Sequence, residues 1–103
     1  MKRQELNRAA RAKYERLWAV TADVIRTWDP HGLLAGGSPA DEFDHEIASL
    51  VAQIPRIHSA VDAAHAVSRI FGASFDADSF AKDKCSEVGT RLYAALSEQG
   101  LIY

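Results

Sequence analysis

The sequence predicts an all-α protein, an irregular bundle of about four helices over residues 6–28, 39–54, 59–71 and 82–99. Three observations predict it. Apolar residues recur every three or four positions in four separate stretches. No stretch of four to eight residues alternates convincingly with the period of two that a half-buried strand requires. The prolines and most of the glycines fall between the periodic stretches, where helices start and stop.

The first helix is read from the row Ala10, Tyr14, Leu17, Thr21, Val24 and Trp28, with Leu6, Trp18 and Ile25 beside it. A helix of some 20 residues spans about 30 Å. That exceeds what the other segments need, so its first turns are expected to project beyond the core. Asp29 precedes Pro30, and the position before proline disfavours the helical well. Asp29-Pro30-His31-Gly32 fits a type I turn, with Leu33 and Leu34 returning to the core and Ala35-Gly36-Gly37 as a flexible link.

The second helix is expected to begin with Ser38 as N-cap, Pro39 at the first helical position and Asp41 as the capping-box partner. Asp41, Glu42 and Asp44 favour the positive end of its dipole. Phe43, Ile47, Leu50 and Ile54 form its buried row, and Pro55 ends it. The third helix is expected to start at Ser59, with Asp62 in a second capping box and His65 within reach of Asp62. Ala60, Ala64, Val67 and Phe71 form its inner row, and Gly72 is its expected cap. Its alanines suggest a close helix–helix approach. Residues 73–81 read as a loop with two aromatic anchors, Phe75 and Phe80. Cys85, Val88, Leu92 and Leu96 lie along one face of the fourth helix. Gly89 weakens that helix by about 1 kcal/mol relative to alanine, which suggests tight packing there. Gly100 caps it, and Leu101-Ile102-Tyr103 is expected to fold back onto the body.

Composition agrees with one folded domain over residues 1–103. Apolar residues make up 48% and charged residues 25% of the 103, the ordinary balance of a globular protein. Cys85 is the single cysteine, which excludes an internal disulfide and suits a reducing compartment. No apolar leader or membrane-spanning run is seen, so a cytoplasmic location is expected. The net charge of −2 is unevenly spread. Lys2, Arg3, Arg8, Arg11, Lys13 and Arg16 face only Glu5 and Glu15 over residues 2–16, a balance of +4, and the remaining residues balance at −6. Such a face is either plain solvated helix surface or a footprint for an acidic partner.

Among polar clusters the densest is Asp41, Glu42, Asp44, His45 and Glu46. Asp41 and His45, four apart on a helix, share a face and are the residues from which a metal site or acid–base pair would be built. Zinc wants three or four protein ligands, and His31, His58 and His65 have no matching motif. Capping and solvation account for the cluster more simply. Cys85 reads as a core residue rather than a nucleophile. Gly36-Gly37 lacks the flanking strand and Lys-Ser/Thr of a phosphate loop. With no basic second helix of a helix-turn-helix pair, nucleic-acid binding is disfavoured. No catalytic set, metal or cofactor is assigned.

Trp28-Asp29-Pro30-His31-Gly32-Leu33, then Pro39, then Asp41-Glu42-Phe43-Asp44, resembles the signature of a YugE-like family of small, helical bacterial domains of unknown function. Its members carry a Trp-Asp-Pro-x-Gly-aliphatic turn followed by Asp-Glu-Tyr-Asp. Phe43 stands here in place of the usual tyrosine, so any role of that hydroxyl is missing. The strong part of the resemblance covers residues 24–54. It implies an all-α fold and no particular activity. On the residues themselves, the corner of Trp28, Asp29, Asp41 and Asp44 reads either as a folding corner or as a partner site built beside one.

The function expected is a non-enzymatic protein-binding or regulatory module, comparable by analogy with immunity and antitoxin-like inhibitors. It would bind through Trp28, Asp29, Asp41, Glu42, Asp44 and His45, or through the basic face of the first helix. A homodimer seamed along the first helix is the alternative. A small enzyme or metal binder using Asp41, Asp44 and His45 is the third class.

Overall fold

Alanine, arginine and leucine are the commonest residues in the first third of the chain, and these are strong helix formers. In the computed structural model, which describes residues 2–39 and 41–102, they form one helix, α1, from Lys2 to Trp28. At 1.5 Å per residue it is about 40 Å long, against a longest molecular dimension of 49 Å. Residues 7–16 are exposed throughout, whereas Thr21 and Ile25 are fully buried and Ala22 and Val24 nearly so. The apolar row is therefore core only in its second half, and the first half stands out as an arm, as its length predicts. The radius of gyration of 14.2 Å exceeds the roughly 13 Å of a compact chain this long. Arg16 ties the base of the arm to the body by donating to the Gln99 carbonyl at the end of the last helix, 3.1 Å away. A cation placed there is favoured by the helix dipole. The side chain of Leu6, and Tyr103, lie outside the described residues.

Helix α2 is shorter than expected, spanning Asp44–Gln53 rather than residues 39–54. The capping box at Ser38 does not form. The Ser38 amide instead donates to Leu33 O at 2.9 Å, and the Gly37 amide to Leu34 O at 3.1 Å, with Gly37 at φ 100°. This pair of bonds is the glycine-closed motif that ends helices, so residues 33–38 form a hydrogen-bonded turn and not a loose link. Two further turns follow, from the Glu42 amide to Pro39 O and from the Asp44 amide to Asp41 O. The helical ladder begins with Ile47 on Phe43 O, because Phe43 is fully buried and its ring has to enter the core before the helix can run. Ile47, Leu50, Val51 and Ile54 continue the buried face, and Pro55 converts the end into a 3-10 turn over Ile54–Arg56.

Helix α3 (Ala60–Ser74) starts as its sequence predicts, the Ser59 hydroxyl accepting from the Asp62 amide at 3.1 Å. Asp62 accepts from the His58 amide at 2.9 Å, rather than pairing with His65. The helix runs through Gly72 instead of stopping there. Phe71 and Phe75, four residues apart, stack with ring centroids 6.0 Å apart, and that contact extends the helix by one turn. Phe80 is buried, but Phe75 is 37% exposed, so only one of the two expected anchors is core. A 3-10 turn over Lys82–Cys85 leads into α4, Ser86–Glu98. Gly100, at φ 67°, closes α4 with bonds from its own amide to Ser97 O and from Leu101 to Leu96 O. Leu101 is buried, so the tail folds back.

All four helices contribute to one buried cluster, and no strand occurs among the described residues. No described helix is long and apolar enough to cross a membrane. Helices α3 and α4 approach most closely where Gly89 meets Ala64. A Cβ at position 89 would lie 2.6 Å from the Ala64 nitrogen and Cα, a distance no real contact tolerates. Glu46 and Thr21 are buried beside the apolar face, each with one side-chain oxygen lacking a hydrogen-bond partner.

Two outcomes follow from this packing. Gly89→Ala gains about 1 kcal/mol of helix propensity but forces backbone apart at a cost of about 1–3 kcal/mol. A net loss of stability in urea denaturation is expected, and a gain would show that the helices separate freely. Cys85 is fully buried, and desolvation first, then the Asp83 charge, raises its pKa. Below about pH 8.5 the thiol is protonated in both folded and unfolded chains; above it only the unfolded thiol ionises, so stability falls as pH rises. A thiol reagent at neutral pH should modify Cys85 no faster than the chain unfolds.

Candidate functional site

Two regions could carry function, the corner after α1 and a groove at the base of the arm. The corner is built from conformations that ordinary residues avoid. Asp29 lies at φ 46°, ψ 64° and His31 at φ 63°, ψ 6°. The Gly32 amide bonds Asp29 O at 2.9 Å across Pro30 and His31. A positive φ at the second central residue is the type II geometry, not the type I turn expected. Aspartate and histidine tolerate this region better than most side chains. The Asp29 carboxylate offsets the strain by accepting from the Leu34 amide at 2.8 Å and the Ala35 amide at 3.0 Å, one per oxygen. Pro30 is buried beneath it.

Rings lock the corner from below. Trp28, half-buried, sits edge-on to Phe71 at 5.2 Å and to Phe80 at 5.8 Å. His31 is edge-on to Phe80 at 5.1 Å, and Phe43 meets Phe71 at 6.1 Å. The loop beneath is held in turn: Ser68 donates to Phe80 O at 2.6 Å, and the Ser79 amide donates to Asp76 at 2.7 Å. Hydrogen bonds from Ser79 hold the Asp76 carboxyl below its usual range.

The acidic residues expected to form a site with this corner are dispersed. Asp44, at the start of α2, pairs with Arg26 of α1 at 3.0 Å, both side chains about 40% exposed. Such a pair contributes at most about 1 kcal/mol. Asp41, Glu42 and His45 are exposed. Asp41 lies in a turn before α2, so it does not share a helical face with His45. Among the described residues no three His, Cys, Asp or Glu side chains converge to hold a metal ion. None of the concavities described is lined by Trp28, Asp29, Asp41, Glu42, Asp44 or His45.

The groove lies elsewhere. Lys13, Tyr14 and Leu17 of the arm form one wall. Val51, Ala52, Ile54, Pro55, Ile57 and His58 form the floor, and Leu101 and Ile102 close it, around a space of about 480 Å³. Its lining is mostly apolar. Tyr14 stands 50% exposed over it. Periodicity places Tyr14 and Leu17 in the core row; Leu17 does pack against the core, whereas Tyr14 stays half-exposed beside the groove. The only signals for it were the surplus length of the first helix, Ile57 outside any helix, and the apolar tail.

Residues 20–99 match the family described as Domain of unknown function (DUF1871). The chain belongs to that family. No curated protein and no solved structure matches it. The DUF1871 span takes in the corner, α2, α3 and α4. The arm precedes it, and Leu101 and Ile102 follow it. The groove thus forms where flanking segments fold against the DUF1871 body, whose residues 51–58 supply only its floor.

Within the DUF1871 corner, Asp29→Ala removes both acceptors and a side chain suited to positive φ. It should destabilise the chain by about 1–3 kcal/mol. Asp29→Asn keeps one acceptor and the tolerance of the left-handed region, so it should cost less than Ala does. Equal losses in thermal denaturation would show that the carboxylate clamp does not stabilise the turn.

Proposed function

We propose that this chain is a non-enzymatic protein-binding module, and that its docking surface is the groove at the base of the arm. One observation carries the reading: an apolar groove with a half-exposed tyrosine on its rim lies under a helical arm that the body does not cover. An isolated helical stretch this short is marginal in water, and an amphipathic groove beside it is a common way of holding a partner helix. The acidic rim of Asp41, Glu42 and His45, which an acidic inhibitor would present, has exposure but no concavity. The corner contributes rigidity instead.

A photo-crosslinking residue placed at position 14, and separately at position 41, tests the choice in the native host. Adducts with a protein from position 14 and not from position 41 are expected. Adducts from position 41 alone would move the surface to the acidic rim, and none from either would remove the reading.

A further inference from the structure

The charge around the groove narrows what it takes. None of its described lining residues is a carboxylate, and Lys13 is part of the wall. On the arm, Ala10, Tyr14 and Leu17 form the apolar row. By helix geometry Lys13, in the groove wall, lies about 65° from the centre of that row on one side, and Arg11 lies about 95° from it on the other, with Glu15 about 40° beyond Arg11. The arm as a whole balances at +4 over residues 2–16, while the rest of the chain balances at −6. Resting on the reading above, we propose that the groove takes an amphipathic helical segment of another protein that carries acidic residues along both edges of its apolar row.

The alternatives fit these features less well. A second copy bound arm to arm would place like charges together. A bilayer is flat, and the apolar surface is recessed between the arm and the end of α2. A nucleic acid would leave Leu17, Val51, Ile54 and Ile57 unmatched. A helix with apolar residues at i, i+3, i+4 and i+7 and carboxylates beside them satisfies the row, the floor and Lys13 and Arg11 together.

The test uses the full chain and two labelled helical probe peptides of about 18 residues, long enough to follow the arm. They share a leucine row, and one carries glutamate and the other lysine on both edges. Fluorescence anisotropy should show the glutamate probe binding about tenfold or more tighter, a preference that shrinks as salt rises. In the double variant Arg11→Glu, Lys13→Glu the preference should reverse with helicity by circular dichroism unchanged, since both side chains are exposed. Tyr14→Ser should weaken both probes. Equal binding of the two probes, or a preference untouched by the charge reversal, would overturn the acidic assignment even where crosslinking at position 14 succeeds. So would a concentration-dependent dimer that excludes the probes in sedimentation, or anionic vesicles that bind the chain and are not displaced by the glutamate probe.

Discussion

The chain after residue 28 is positioned by one carboxylate. Asp29 occupies a left-handed conformation, which costs a non-glycine residue about 1–2 kcal/mol, and it does so immediately before a buried proline. Its two oxygens accept the amides of Leu34 and Ala35, so the strained residue and the turn it supports hold each other in place. Each of these hydrogen bonds, one part-buried and one exposed, contributes about 0.5–1.5 kcal/mol, together enough to offset the backbone cost. The chain leaves α1 in one direction only. Residues 33–38 then curl into a closed turn, and Phe43 arrives at the ring cluster of Phe71 and Phe75.

The aromatic cluster converts that local constraint into a global one. Trp28 from α1, Phe43 before α2, Phe71 from α3 and Phe80 from the loop before α4 meet around one point. Edge-to-face pairs of this kind add about 0.5–1.5 kcal/mol beyond the area they bury. Phe43 needs no hydroxyl here because it is fully enclosed by rings and aliphatic side chains. At the opposite end of α3, Gly89 lets α4 lie against the Ala64 backbone. The bundle is thus pinned by rings at one end and by absent side chains further along.

Much of this was legible in the sequence because it depends on periodicity and local chemistry. The four helices, the Ser59 cap, the Gly100 closure, the tight contact at Gly89 and the buried Cys85 all follow from residue type and spacing. The start of α2 was misread. Ser38, Pro39 and Asp41 spell a capping box, but the Ser38 amide is already engaged by Leu33 O, five residues back, in the turn that Gly37 closes. The end of α3 was misread for a related reason, since the Phe71–Phe75 contact outweighs the tendency of Gly72 to stop a helix. The turn type differs at His31, whose positive φ is a region histidine tolerates better than most residues but does not require.

The groove was illegible for a different reason. Periodicity tells which residues share a face, but not how far along a helix that face is covered. Ala10, Tyr14 and Leu17 continue the row of Thr21, Val24 and Trp28 without a break, yet burial begins only at Leu17. The boundary is set by where α2 gives way to the 3-10 turn at Ile54–Arg56, and by where the tail returns, at Leu101, two features distant in sequence from the arm. Charge marks the same boundary independently: Arg8, Arg11, Lys13 and Arg16 precede it, and the acidic majority follows. An apolar row that outruns its own core, while the charge beside it changes sign, presents to solvent the combination that an amphipathic acidic helix complements.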